Sequence, residues 1–250
     1  MWKNLKSKTK GFFLDAFFPR FCLNCQKEGS YLCEDCVSLL EISEYRYCLC
    51  QKPNRLFGAG KCPGCRKKSL SGLYFALPYQ NNLVKNLIQR FKYEPFIKEL
   101  ALPLSSLILN HFQLLVNPPD FFYPVRGQRF SNGADFILIP VPLGRKRLKW
   151  RGFNQAEEIG KELSKSLEIP LINDVLIKTK ENSPQMELTG KEREENILGV
   201  FSCQNKEEIQ GKKILLVDDV YTTGATMEEC AKVLKSAGAK EIVGAVVARG

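Results

Sequence analysis

The chain has 250 residues, 44% of them hydrophobic, enough to bury the core of one large or two small domains without covalent staples. Lys and Arg outnumber Asp and Glu by 37 to 27 within a charged fraction of 26%, which excludes an acidic or disordered chain. The excess is confined to the first half, with net charges of +7 over residues 1–70, +3 over 71–134 and zero over 135–250.

Residues 1–20 carry basic side chains followed by an apolar run, the outline of a secretory signal. The run Phe12 to Phe18 is short, contains Asp15, ends in Pro19-Arg20 and offers no small-residue cleavage site. The pattern predicts an amphipathic N-terminal helix packed on its neighbour, with a basic membrane-surface helix as the alternative. No later segment approaches the roughly 18 consecutive apolar residues of a membrane helix, so the expectation is a cytoplasmic chain without stable membrane insertion.

Eight of the ten cysteines follow, in four close pairs: Cys22 and Cys25, Cys33 and Cys36, Cys48 and Cys50, Cys62 and Cys65. Two thiolates two residues apart can share one tight turn and face one cation, and two such turns complete the tetrahedral sulfur shell that zinc prefers. Disulfides are disfavoured, because a cytosolic chain is kept reduced and a C-x-x-C bridge is strained. Residues 21–70 therefore read as a double zinc ribbon whose folding energy is largely metal binding. Sequence order places Cys22, Cys25, Cys33 and Cys36 on one ion and Cys48, Cys50, Cys62 and Cys65 on the other; the spacing equally allows an interleaved arrangement. Cys48 and Cys50, separated by one residue, form the irregular pair.

Residues 71–250 read as an α/β domain. Gly72 to Tyr79 predicts a strand, and Leu83, Leu87, Ile88 and Phe91 have helical spacing. A second helix is expected from Pro95 to Val116, kinked at Pro103, before a Pro-rich loop at 117–133. His111, the only histidine, lies among apolar residues and reads as a packing or surface residue, and with no histidine elsewhere Ser-His-Asp and Cys-His hydrolases are excluded. From Asp135, apolar strands alternate with helices at Asn154 to Leu167, around Lys191 to Leu198, and at Ala225 to Ala237, the pattern of a parallel sheet covered on both faces. In such folds ligands lie beyond the carboxyl ends of the strands.

Two segments occupy those positions. In ILLVDDVYTTGATM, Asp218 and Asp219 precede a loop of Thr222, Thr223, Gly224, Ala225 and Thr226 whose backbone N–H groups and hydroxyls suit a phosphate at a helix start. Acids repel phosphate but accept hydrogen bonds from sugar hydroxyls, so loop and acids together describe a ribose 5-phosphate. Adjacent strand residues face opposite ways, so both acids reach one diol only if the strand ends there. In GRKRLKWRGFNQA, Arg145, Lys146, Arg147, Lys149 and Arg151 put five cations into seven residues of a segment read as a diphosphate-holding loop.

The first segment resembles the fingerprint of type I phosphoribosyltransferases, whose substrate is 5-phosphoribosyl 1-diphosphate (PRPP) with magnesium. The resemblance narrows to the ComF family through FFPRFC, the paired cysteines, the helix ending FKY, RGFNQA, and the segment around Gln185, Leu188, Arg193 and Asn196. It implies a type I phosphoribosyltransferase fold behind a zinc ribbon. The diol then falls to Asp218 and Asp219, the 5-phosphate to Thr222 through Thr226, and the magnesium diphosphate to Arg145, Arg147 and Arg151. Thr179 to Lys191 is the corresponding candidate lid. Family members are linked to DNA uptake, so single-stranded DNA and the uptake machinery are expected partners, with Tyr31, Tyr45, Tyr47 and Phe57 either stacking faces or core residues. Two readings stand: a phosphoribosyltransferase of unknown acceptor, for which any acceptor hood must come from residues 71–134, and a non-catalytic module that senses PRPP or binds single-stranded DNA.

Overall fold

The computed structural model of the protein describes residues 19–58, 60–119, 136–180 and 197–250. The expected N-terminal helix, most of the Pro-rich loop, the candidate lid beyond residue 180, the family segment from Gln185 to Asn196 and most of the helix expected around Lys191 to Leu198 lie outside them. Among the described residues no helix is long and apolar enough to cross a membrane.

In the Cys-rich segment a short helix α1 (Glu34–Ser38) is followed by two two-residue strands, β1 (Arg46–Tyr47) and β2 (Arg55–Leu56). Next come β3 (Leu73–Pro78), α2 (Asn82–Lys92), α3 (Ala101–Leu114), β4 (Phe136–Pro140), α4 (Arg145–Arg151) and α5 (Gln155–Leu167). The chain continues through β5 (Leu176–Lys178), β6 (Phe201–Cys203), β7 (Lys213–Tyr221), α6 (Ala225–Ser236) and β8 (Glu241–Arg249). The main sheet has the order β2-β1-β3-β8-β7-β4. β3, β8, β7 and β4 run parallel, while β1 joins antiparallel through Tyr47 opposite Leu73. β5 and β6 form a separate antiparallel pair.

Alternation along the central strands builds two cores. Leu215 and Val217 of β7 with Val243 and Ala245 of β8 face α2, α3 and α5, meeting Leu87, Phe91, Ile108 and Leu163. Ile214, Leu216, Ile242 and Val246 face the other way, against Met227, Cys230 and Leu234 of α6 and Phe201 of β6. Each fully buried large side chain contributes about 1.5–3 kcal/mol, and both faces of these strands collect that contribution, which is why they read as unbroken apolar runs.

The helices depart from expectation in instructive ways. Val84, more than Leu83, completes the buried stripe of α2, whose first turn is capped by the Asn81 side chain accepting from the Val84 N–H at 3.2 Å. α3 starts at Ala101 and not at Pro95, so Pro103 falls in its first turn, where the missing N–H has no intrahelical partner to lose and no kink follows. His111 is fully buried, with Nδ1 2.5 Å from the Ser43 carbonyl oxygen, and burial drives it down to about 4. It is a neutral packing residue, as its apolar neighbours suggested.

Candidate phosphoribosyl site at the carboxyl end of the sheet

β7 does not stop at its acids but runs on to Tyr221, so the two carboxylates part to opposite faces, the outcome that strand alternation imposes. Asp219 is buried on the α2 side and lies 2.8 Å from the Lys92 ammonium. Asp218 turns to the α6 side, where it borders the concavity formed by Thr222 to Thr226, and its Oδ1 accepts from the Asp219 N–H at 2.8 Å. Burial, with the Asp219 charge adding to it, pushes Asp218 up to about 7, against the pull of Lys92.

The loop beyond β7 is shaped by Gly224, which has φ +79° and caps α6. A Cβ there would collide with the Tyr221 ring and hydroxyl, so only glycine fits on two counts. Thr223 Oγ1 accepts from the Ala225 N–H at 3.4 Å, which leaves the first-turn N–H groups of α6 beside a small concavity also lined by Asp218. Tyr221 is held in turn by Arg249, whose guanidinium carbon is 5.2 Å from its ring centroid. Arg249 is buried and donates to the carbonyl oxygens of Cys48 at 2.8 Å and Cys50 at 2.5 Å. The Thr222 to Thr226 loop is thus tied, through two side chains, to one of the cysteine clusters.

The cation-rich segment forms a helix, not the loop expected: Arg145 to Arg151 make two turns of α4, bounded by Gly144 and by Gly152 at φ +81°. The RGFNQA run then locks this helix to the sheet. Phe153 packs on Phe91 at 5.3 Å between centroids. Asn154 caps α5 by accepting from the Ala156 N–H at 3.2 Å and donates to the Val141 carbonyl at 3.0 Å. Gln155, buried, accepts from Arg151 and donates to the Phe91 carbonyl at 3.3 Å. Arg151 is therefore aimed, and the attraction of Asp219 and Asp218 offsets part of the burial that lowers its pKa. The three arginines do not converge: Arg147 lies close enough to Arg151 to repel it, whereas Arg145 lines a separate depression with Asn173, Lys178 and Lys180.

The cysteines fall into the sequential sets, Cys22, Cys25, Cys33 and Cys36, and Cys48, Cys50, Cys62 and Cys65, each with its sulfur atoms within 4.8 Å of one another. Sulfur separations of 3.5 Å for Cys25 to Cys33, Cys50 to Cys62 and Cys50 to Cys65 are far beyond a disulfide bond of about 2.05 Å. They fit the edge of about 3.8 Å of a tetrahedron with metal–sulfur bonds of about 2.3 Å. Donors already point at the sulfurs, Asn24 Nδ2 at 3.3 Å from Cys36 and the Asn54 N–H at 3.1 Å from Cys48. In the second set, hydrogen bonding from Cys65 and Cys62 pushes the Cys50 thiol up to about 12, while hydrogen bonding from Cys65 brings Cys62 down to about 7. Metal entry therefore has to displace protons. A Cβ on Gly64 would lie 3.2 Å from Cys50 Sγ, so glycine makes room for the tight one-residue knuckle.

A phosphoribosyl transferase domain model matches residues 154–250. Over 237 residues, 90% of this chain and 95% of the relative, the sequence is 30% identical to competence protein F of Haemophilus influenzae. The chain belongs to the ComF family. Competence protein ComFC of Bacillus subtilis is 27% identical over 223 residues, 85% of this chain and 81% of the relative. A shorter stretch of 105 residues, 42% of this chain and 45% of the relative, is 32% identical to DNA utilization protein YhgH of Escherichia coli O157:H7. The ComF architecture here is a phosphoribosyltransferase fold, mainly parallel, behind a Cys-rich segment that holds two four-cysteine clusters.

Sequence reasoning missed three of the partners that hold the ComF site together, Lys92, Tyr221 and Arg249, while Gln155 lay within the RGFNQA landmark. A Lys in a last helical turn is ordinary. A lone Arg closing the apolar run of β8 was the one signal available. Of the four ribbon aromatics, Tyr47 packs on Phe75 at 4.8 Å and Tyr31 packs against the first core, whereas Tyr45 and exposed Phe57 meet edge to face on the surface. A cavity of 190 Å³ at the opposite, amino ends of the strands, between Arg46, Tyr74, Lys213 and Glu241, has neither the acid pair nor the anion loop.

Proposed function

We propose that this ComF protein binds PRPP with magnesium at the carboxyl end of β7 and works, in the cytoplasm, in the handling of DNA taken up by the cell. The observation that carries the PRPP reading is the placement of Asp218 and the glycine-shaped Thr222 to Thr226 loop around one concavity, with Asp219 behind them on Lys92. The 5-phosphate lies on the N–H groups and hydroxyls of the loop, as in other anion sites at helix starts. Asp218 accepts from the ribose hydroxyls, with Asp219 completing the acid pair. Arg151, with Arg147 near it, faces the diphosphate, whereas Arg145, in its separate depression, is left out of that contact. Magnesium neutralises diphosphate charge when bound. As diphosphate leaves, positive charge develops on the sugar, and Asp218, when ionised, stabilises it from the concavity, with Asp219 paired to Lys92 on the other face of β7. Zinc in both cysteine clusters fixes residues 21–70 as a double ribbon ahead of the phosphoribosyltransferase domain at 71–250. The names of the relatives, competence and DNA utilization proteins, support the DNA assignment, with the uptake machinery as partner.

Calorimetry with PRPP and magnesium tests the site. The double variant Asp218→Asn, Asp219→Asn should fold and lose binding by at least about 100-fold, taking about 1.4 kcal/mol per tenfold; unchanged affinity refutes the assignment. Diphosphate release in the presence of purine and pyrimidine bases or single-stranded DNA separates an enzyme from a PRPP sensor. Binding without turnover favours the sensor.

A further inference from the structure

The loop after α2 and the end of α4 meet at the rim of the phosphoribosyl site, and what they put there is aromatic. Trp150 stands edge to face on Phe96 at 4.8 Å between centroids, Tyr93 lies 6.5 Å from Trp150, and the Arg151 guanidinium is 6.0 Å from the Tyr93 ring. Trp150 is 55% exposed and Tyr93 54%, so two large rings are held in place while much of their surface stays open to water. A packing role alone does not account for this. α4 buries none of its seven residues, and an anchor would bury its rings.

The surroundings choose the ligand. Arg147 and Lys149 are exposed on α4 and Arg151 is half-buried beside Tyr93, with Glu94 the one acid in the stretch from Tyr93 to Phe96. Open aromatic faces interleaved with cations are the composition that holds single-stranded nucleic acid, bases on the rings and phosphates on the cations. The platform also adjoins the acid pair: Lys92, bonded to Asp219, immediately precedes Tyr93, and Arg151 lies within the field of both acids. We infer that Trp150 and Tyr93, with Arg147, Lys149 and Arg151, form a stacking subsite that lays single-stranded nucleic acid across the mouth of the phosphoribosyl site. The inference deepens the DNA part of the proposed function and rests on it for the choice of ligand alone. It moves the contact from the ribbon, where Tyr31, Tyr45, Tyr47 and Phe57 were the expected faces, to the rim of the sheet.

Fluorescence anisotropy of a labelled 20-residue oligodeoxythymidine, titrated with the full-length metal-loaded protein, tests it. Trp150→Ala and Tyr93→Ala should each weaken binding by about tenfold or more, and Trp150→Phe should retain most of it, since a ring still stacks. Arg147→Ala with Lys149→Ala should lower the salt slope by about 1.4, the value for two phosphates of a single strand. Wild-type affinity in the Trp150→Ala and Tyr93→Ala variants overturns the proposal, as does loss confined to Tyr45→Ala and Phe57→Ala. If the rim variants instead change the oligomeric state in sedimentation and leave oligonucleotide binding intact, the platform belongs to a second copy of the chain and the proposal falls. Should wild-type protein fail to bind PRPP yet lose oligonucleotide on removal of Trp150, the PRPP reading fails and the stacking subsite stands.

Discussion

Asp218, in β7 beside the Thr222 to Thr226 loop, has its carboxyl raised to about 7 by burial first and by the Asp219 charge second, whereas in the unfolded chain the same group ionises near 3.8. Between those two values the folded protein holds a proton that the unfolded chain has released. Its contribution to stability is therefore present at the acid end of this window and is lost as pH rises through about 7. Asp218→Asn should flatten that part of the profile. Thermal unfolding midpoints at pH 5.0 and 7.5 check it, and an equal decline in wild type and variant counts against a protonated Asp218. The acid pair itself was legible, because two acids at the end of an apolar strand have few structural explanations. Its counter-charge was not. Nothing in the spacing of a helix tells that its last Lys, Lys92, will cross to Asp219.

The same boundary runs through α4 and α5. Five cations in seven residues marked the segment as a site, but no apolar stripe announced a helix, since α4 buries nothing. What fixes the element is RGFNQA, legible as a family landmark and not as a set of contacts. Gln155 is its hinge: it is buried, and its amide satisfies both Arg151 and the Phe91 carbonyl. Gln155→Leu keeps the volume and leaves those two groups unpaired. It should destabilise the protein by about 1–3 kcal/mol, measured by urea unfolding, and weaken PRPP binding several-fold by calorimetry as Arg151 loses its aim. A stability loss without any change in PRPP affinity would separate Arg151 from the diphosphate.

Taken whole, the protein places its two cysteine clusters on opposite faces of one sheet, Cys22, Cys33 and Cys36 within the α2–α3–α5 core and Cys48 and Cys65 within the α6 core. Spacing alone left sequential and interleaved pairings open, and the fold resolves them because each sulfur set belongs to a different side. The clusters should consequently answer differently to damage. Cys62→Ser, which opens the set beneath Arg249 and Tyr221, should weaken PRPP binding. Cys25→Ser should lower the melting temperature and leave PRPP affinity within about twofold, because the Arg249 and Tyr221 link to the Gly224 loop runs from the other cluster. Metal content by atomic absorption alongside calorimetry checks both, and equal loss of PRPP affinity in the two variants refutes the link. The strand order has a bearing on biosynthesis. β8, the latest described strand to leave the ribosome, takes its place between β3 and β7, so until it emerges the two halves of the sheet carry open edges that face each other. Arg249 arrives with it. Closure of the sheet and anchoring of the Gly224 loop by Arg249 therefore both wait on β8, and a nascent chain stalled short of it should expose two open strand edges.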